Sequence, residues 1–178
     1  MGKDRWYFGW NIVGAAMGIT LLTVGLRMGI GPFIKPIISD LEVTRTTLSL
    51  IIAIGMIVYG LGMPLAGYLC ERFSTRFVLI VGVVIILGST IWSITTVDVV
   101  QFAVAYGVLL SIGLAFTSPV TVTPIISRWF TRQRGKALFF LSTASMAGIA
   151  IFTPLATIFI EWMGWRATLL FFSLLFIV

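Results

Sequence analysis

Long charge-free runs recur along the chain: Thr46 to Leu69, Phe77 to Thr96, Val99 to Ser127 and Ala137 to Ile160 contain no Asp, Glu, Lys or Arg. As a helix rising about 1.5 Å per residue, each is long enough to cross a hydrocarbon core of about 30 Å. Trp10 to Phe33 makes another run, broken only by Arg27, and a last one opens after Arg166 and reaches Val178. The runs are apolar on every side, whereas barrel strands alternate apolar and polar residues over about 10 positions. The pattern therefore predicts an all-α membrane protein of five full spans and a truncated sixth, at approximately 10–33, 46–69, 77–96, 99–127, 137–160 and 165–178.

Composition agrees, since 59% hydrophobic and only 10% charged residues do not suit a soluble core. The first run is too long for the apolar stretch of a signal peptide and carries Arg27, so it reads as a permanent first helix. A single cysteine, Cys70, excludes an internal disulfide, and the lack of histidine argues against a metal site; no cofactor is expected. The net charge of +6 is a topology signal. Lys3 and Arg5, then Arg72 and Arg76, then Arg128, Arg132, Arg134 and Lys136 fall on one side, with Lys35, Arg45 and Arg166 on the other. The positive-inside rule puts the first side and the N-terminus in the cytoplasm, in a plasma or inner membrane. Basic residues divided among short membrane loops do not make a nucleic-acid surface. Trp6, Tyr7 and Trp10 at one boundary and Trp162 and Trp165 at the other fit interfacial aromatic belts.

Gly14 and Gly18, Gly25 and Gly29, and Gly107 and Ser111 lie one turn apart, spacing that lets helix backbones approach. Pro119 and Pro124 should kink or break the fourth span.

The loops resemble a known family. Gly67-x-Leu69-x-Glu71-Arg72-Phe73-Ser74-x-Arg76 is similar to the cytoplasmic signature between helices 2 and 3 of major facilitator superfamily transporters, with Glu71, Ser74 and Thr75 replacing the usual Asp, Gly and basic residue. Gly164-Trp165-Arg166, at the start of helix 6, also resembles that superfamily. Tyr7-Phe8-Gly9-Trp10, Phe33-x-Lys35-Pro36-Ile37 and Trp129-Phe130-x-x-x-Arg134-Gly135-x-Ala137 resemble its monocarboxylate and oxalate/formate antiporter branch. A complete member has twelve helices, so the resemblance implies an N-terminal six-helix half. Its partners would be the bilayer and either a C-terminal half or a second copy of the chain.

Arg27 is the candidate for chemistry. Snorkelling to the interface is one reading; the other is a wet cavity, favoured by the polar face formed by Thr20, Thr23 and Arg27. In the resembling branch this part of helix 1 contributes to the substrate site, which would make Arg27 a planar fork of donors for a carboxylate. Ser49, Tyr59, Tyr106, Ser118, Ser142 and Ser145 join Thr23 as candidate cavity residues, though each could instead bond a carbonyl of its own helix. Met28, Pro119 and Ser145 stand where oxalate/formate relatives place aromatic residues, so a larger or more apolar anion is expected.

Gly67, Glu71, Arg72 and Arg76 have two readings, as topology determinants or, by resemblance, as a latch that closes the cytoplasmic side in one state. The basic cluster from Arg128 to Lys136 reads as a lipid-anchoring loop. The expected function is transport of a small organic anion, such as a mono- or dicarboxylate, by alternating access. A multidrug or other-solute exporter and a half-size protein working as a dimer remain alternatives. An enzyme is not expected, because no nucleophile-base pair or metal-ligand cluster is present.

Overall fold

The computed structural model describes residues 8–129 and 134–177. Lys3, Arg5, Trp6, Tyr7, Phe130 and Arg132, and the side chains of Phe8, Trp10, Arg128, Trp129, Arg134 and Ala137, lie outside the described part.

The described residues are helical, with no strand among them. Helix α1 spans Phe8–Met28 and leads through a 3-10 turn, Gly31–Phe33, into a short α2, Ile34–Leu41. Helices α3, Arg45–Arg72, and α4, Thr75–Thr95, follow. The fourth apolar run is composite: α5 (Val99–Phe102), a π-helical stretch Ala103–Leu110, α6 (Ser111–Phe116) and α7 (Pro119–Trp129). Last come α8, Arg134–Leu174, and a 3-10 turn, Leu175–Ile177. Among the described residues, five helical stretches are long and apolar enough to cross a membrane.

The starts and stops have local causes. Thr44, Ser74 and Asp98 take extended backbone and accept the amides of Thr47, Phe77 and Val100, capping α3, α4 and α5. The fourth run breaks at Thr117 and Ser118, directly before Pro119, because the α conformation is disfavoured before a proline while the proline suits a first helical turn. Pro64 and Pro154, in contrast, lie inside α3 and α8, as membrane helices allow. The last apolar stretch, Leu138–Ile177, has 40 residues, about twice one crossing. It turns at Gly164, whose φ of 80° and ψ of 165° are left to glycine.

The region after α1 differs from the expected loop. Lys35, Ser39 and Asp40 face outward while Ile37 and Leu41 are buried, making α2 an amphipathic helix that lies on the bundle. Trp165 differs as well. Trp162 is 85% exposed, as a belt residue would be, but Trp165 is only 6% exposed, packs edge-on to Phe102 and donates Nε1–H to Asp40. A buried indole needs a partner for that N–H, and α2 supplies it.

The most extensive packing is α1 against α8, and glycine makes it possible. A Cβ on Gly25 would come 2.6 Å from Phe152 Cδ2, and one on Gly148 would come 2.5 Å from the Leu21 carbonyl oxygen. Gly14 and Gly18 depart from the close-packing expectation, because both are exposed and a Cβ on either meets nothing. Helix α4 packs on α6 through Gly82 and Gly113, and on the end of α8 through a buried 2.8 Å hydrogen bond between the hydroxyls of Thr90 and Ser173.

Candidate functional site

Arg27 lies in the last turn of α1, where a cation complements the negative end of the helix dipole. Its side chain is half-buried and turns toward α3, with the guanidinium carbon 3.5 Å from the centroid of the Tyr59 ring. Among the described residues the only ion pair is Asp40 with Arg166, so no carboxylate there neutralises Arg27.

Beside the guanidinium is a small cavity of about 40 Å³, room for roughly one water. Leu26, Arg27 and Ile30 form its α1 wall, and Ile51, Ile52, Gly55 and Met56 its α3 wall. The third wall comes from the π-helical stretch and α6, through Tyr106, Gly107, Leu110, Ser111 and Leu114. Two glycines bring these walls together. A Cβ on Gly107 would be 3.2 Å from the Ile51 carbonyl oxygen, and one on Gly55 would be 2.8 Å from Ser111 Oγ. Tyr106 stacks nearly parallel on Phe102, with centroids 5.2 Å apart. The π-helical segment shifts the side-chain register by about one residue relative to an α-helix, a deviation common at working sites.

A larger groove, about 840 Å³, opens between α1 and α4 at the Leu175–Ile177 turn. Every lining residue is apolar or glycine, and it lacks the few convergent polar groups that orient a ligand. Chemistry therefore points to the smaller cavity.

The candidate residues fall into three groups. Arg27, Tyr59 and Tyr106 lie together, with Ser111, Gly55 and Gly107 beside them. Reading the sequence assigned Ser111 only to packing, although its spacing from Gly107 already marked a face of close approach. Thr23 and Ser118 form a second, fully buried group around the break in the fourth run. Thr23 Oγ1 lies 3.1 Å from both the carbonyl and the hydroxyl oxygen of Thr117, so it bridges α1 to that break. The side-chain hydroxyls of Ser118 and Thr20 are buried with no hydrogen-bond partner. Ser49, Ser142 and Ser145 are not among the residues lining the Arg27 cavity. Ser49 and Ser142 are exposed, and Ser145 donates to the Leu141 carbonyl of its own helix.

At the α3–α4 turn Glu71, Arg72 and Arg76 are exposed and Gly67 is half-buried. Arg72 donates to the Tyr68 hydroxyl at 3.3 Å, and the rings of Phe73 and Phe77 meet across the turn. Three or more potential metal ligands do not gather anywhere among the described residues.

The model of the Major Facilitator Superfamily matches residues 11–178. The chain is 27% identical to monocarboxylate transporter 7 of Homo sapiens over 168 residues, 94% of this chain and 32% of that protein. It is 31% identical to an uncharacterized MFS-type transporter, YcxA, of Bacillus subtilis (strain 168), covering 76% of this chain and 33% of that protein. It is 25% identical to monocarboxylate transporter 6 of Mus musculus, covering 95% of this chain and 36% of that protein. The chain thus spans about a third of the length of these curated relatives. With its all-helical, multi-pass architecture and a family match along nearly its whole length, this chain belongs to the Major Facilitator Superfamily, a family of transporters rather than enzymes.

Proposed function

We propose that this chain is the N-terminal six-helix half of a secondary transporter that moves a small organic anion by alternating access, with its N-terminus cytoplasmic. The observation that carries the reading is Arg27, a permanent cation in an apolar pocket with no acidic partner among the described residues. A charge held in a membrane helix is costly, and it is retained where it faces a cavity or a substrate. An anion would supply the missing countercharge through the in-plane N–H groups of the guanidinium. Aliphatic walls from α1, α3 and α6 suit a carboxylate with an apolar body. The relatives' names extend the same chemistry, since two of the three are monocarboxylate transporters.

In this reading a second six-helix unit, encoded with this one, supplies the facing wall of the cavity. The Gly67 to Arg76 strip, with Glu71, Arg72 and Arg76 exposed, latches the cytoplasmic side, its charges pairing in one state and parting in the other. Uptake of radiolabelled acetate, benzoate and malonate by the complete gene product in proteoliposomes tests the proposal. Arg27→Gln should abolish uptake of the transported acid while leaving the amount of protein in the membrane unchanged. Undiminished uptake by that variant would overturn the reading.

A further inference from the structure

The stack of Arg27 on Tyr59 is closer than a general attraction between a cation and a ring requires. Such contacts extend to about 6 Å, but here the guanidinium carbon is 3.5 Å from the ring centroid. The guanidinium nitrogens lie about 1.3 Å from that carbon, as in other delocalised C–N bonds. An edge-on approach would drive a nitrogen roughly 2.2 Å from the ring centre, deep inside contact distance. A flat stack keeps the whole guanidinium at contact distance from the ring and holds its N–H groups in a plane parallel to the ring face.

The ring is well anchored. Tyr59 is 4% exposed and belongs to the core. It sits between Gly55 and Gly62, where α3 comes closest to the fourth run: a Cβ at Gly55 would meet Ser111 Oγ at 2.8 Å, and one at Gly62 the Ala115 Cβ at 2.7 Å. Neither α3 nor the ring can shift without disturbing these contacts. The flexible partner is Arg27, whose long side chain would otherwise sample many rotamers.

We infer that Tyr59 is a positioning residue that fixes the plane of the Arg27 guanidinium, so that its two in-plane donors are already aligned for a carboxylate. The inference rests on the anion-transport reading of Arg27. Fixing the fork beforehand lowers the ordering cost of binding and favours flat, two-oxygen anions. Tyr59 works through Arg27 and needs no contact with the substrate.

The test measures KM and Vmax for labelled benzoate in proteoliposomes containing the complete gene product. Tyr59→Leu should raise KM about tenfold with Vmax changed less than about twofold. Tyr59→Phe, which keeps the ring face, should recover most of the affinity. In an Arg27→Lys background, where no plane exists to be fixed, Tyr59→Leu should add less than about twofold. An unchanged KM in Tyr59→Leu, alongside loss of transport in Arg27→Gln, would overturn this inference and leave the anion reading standing. Equal effects of Tyr59→Leu in both backgrounds would reduce Tyr59 to a packing role and overturn it too. Full uptake by Arg27→Gln would remove the underlying reading. If the leucine variant fails to reach the membrane, Tyr59→Met, of similar bulk and without an aromatic face, gives the same comparison.

Discussion

The carboxylate of Asp40 lies 2.8 Å from Nη2 of Arg166 and accepts the indole N–H of Trp165 at 3.2 Å, tying α2 to the point where α8 resumes after Gly164. The two ion-pair side chains are 37% and 44% exposed, so the charge term is modest, about 0.2–1 kcal/mol. The buried indole adds a hydrogen bond that Asp40→Ala would leave unmade. That substitution should cost about 1–2 kcal/mol and speed amide exchange throughout Ile34–Leu41. A double-mutant cycle with Arg166→Ala should show coupling. Strict additivity would mean that α2 is held by Ile37 and Leu41 alone.

The spans were legible because a bilayer forbids unpaired charge over about 20 residues, and the sequence obeys that rule run by run. Helix α2 was not. Lys35, Pro36, Ser39 and Asp40 end the apolar run, and eight residues are too few for a 3.6-residue period to declare itself. Pro119 announced the break in the fourth run, whereas Pro64, Pro124 and Pro154 look alike in sequence and lie inside helical stretches. Arg27 could be singled out because an isolated charge in an apolar run is costly wherever it points. Its contact with Tyr59 depends on how α3 is rotated about its axis, which glycines such as Gly55 and Gly62 set through packing partners far away in sequence.

Two other glycines, one in the α1–α8 seam and one on the open face of α1, allow a sharp comparison. Gly148→Ala would place a methyl 2.5 Å from a backbone oxygen that cannot rotate away, so the helices must part. The expected cost is about 1–3 kcal/mol. Gly18→Ala meets open space and should be neutral or stabilising by up to about 1 kcal/mol through helix propensity. Thermal unfolding of the two variants in detergent should move in opposite directions or differ by several degrees. Equal midpoints would contradict the seam.

Ser74 offers a second local test. Its hydroxyl accepts the Phe77 amide at 3.3 Å and caps α4, at a position where the resembling signature carries glycine. Glycine is itself a tolerable cap, so Ser74→Gly should cost only about a few tenths of a kcal/mol, while Ser74→Ala should cost about 1 kcal/mol. Amide exchange at the start of α4 separates the two. Faster exchange in the alanine variant alone is expected, and identical exchange in both would show that the hydroxyl does not cap the helix.

Two threonines one turn apart on α1 should respond oppositely to the same change. Thr23 bridges α1 to Thr117 through a fully buried hydrogen bond, whereas Thr20 is equally buried and its hydroxyl has no partner. Valine matches threonine in shape but cannot hydrogen-bond. Thr23→Val should therefore destabilise by about 0.6 kcal/mol, the average measured for hydrogen bonds between membrane helices, and by no more than about 1.7 kcal/mol, the largest such value. Thr20→Val removes a hydroxyl whose desolvation nothing offsets, so it should leave stability unchanged or raise it. Thermal unfolding of the complete gene product in detergent measures both shifts. If Thr20→Val destabilises as much as Thr23→Val, the Thr20 hydroxyl has a partner, and an ordered water between α1 and the Thr117–Ser118 break is the species to look for.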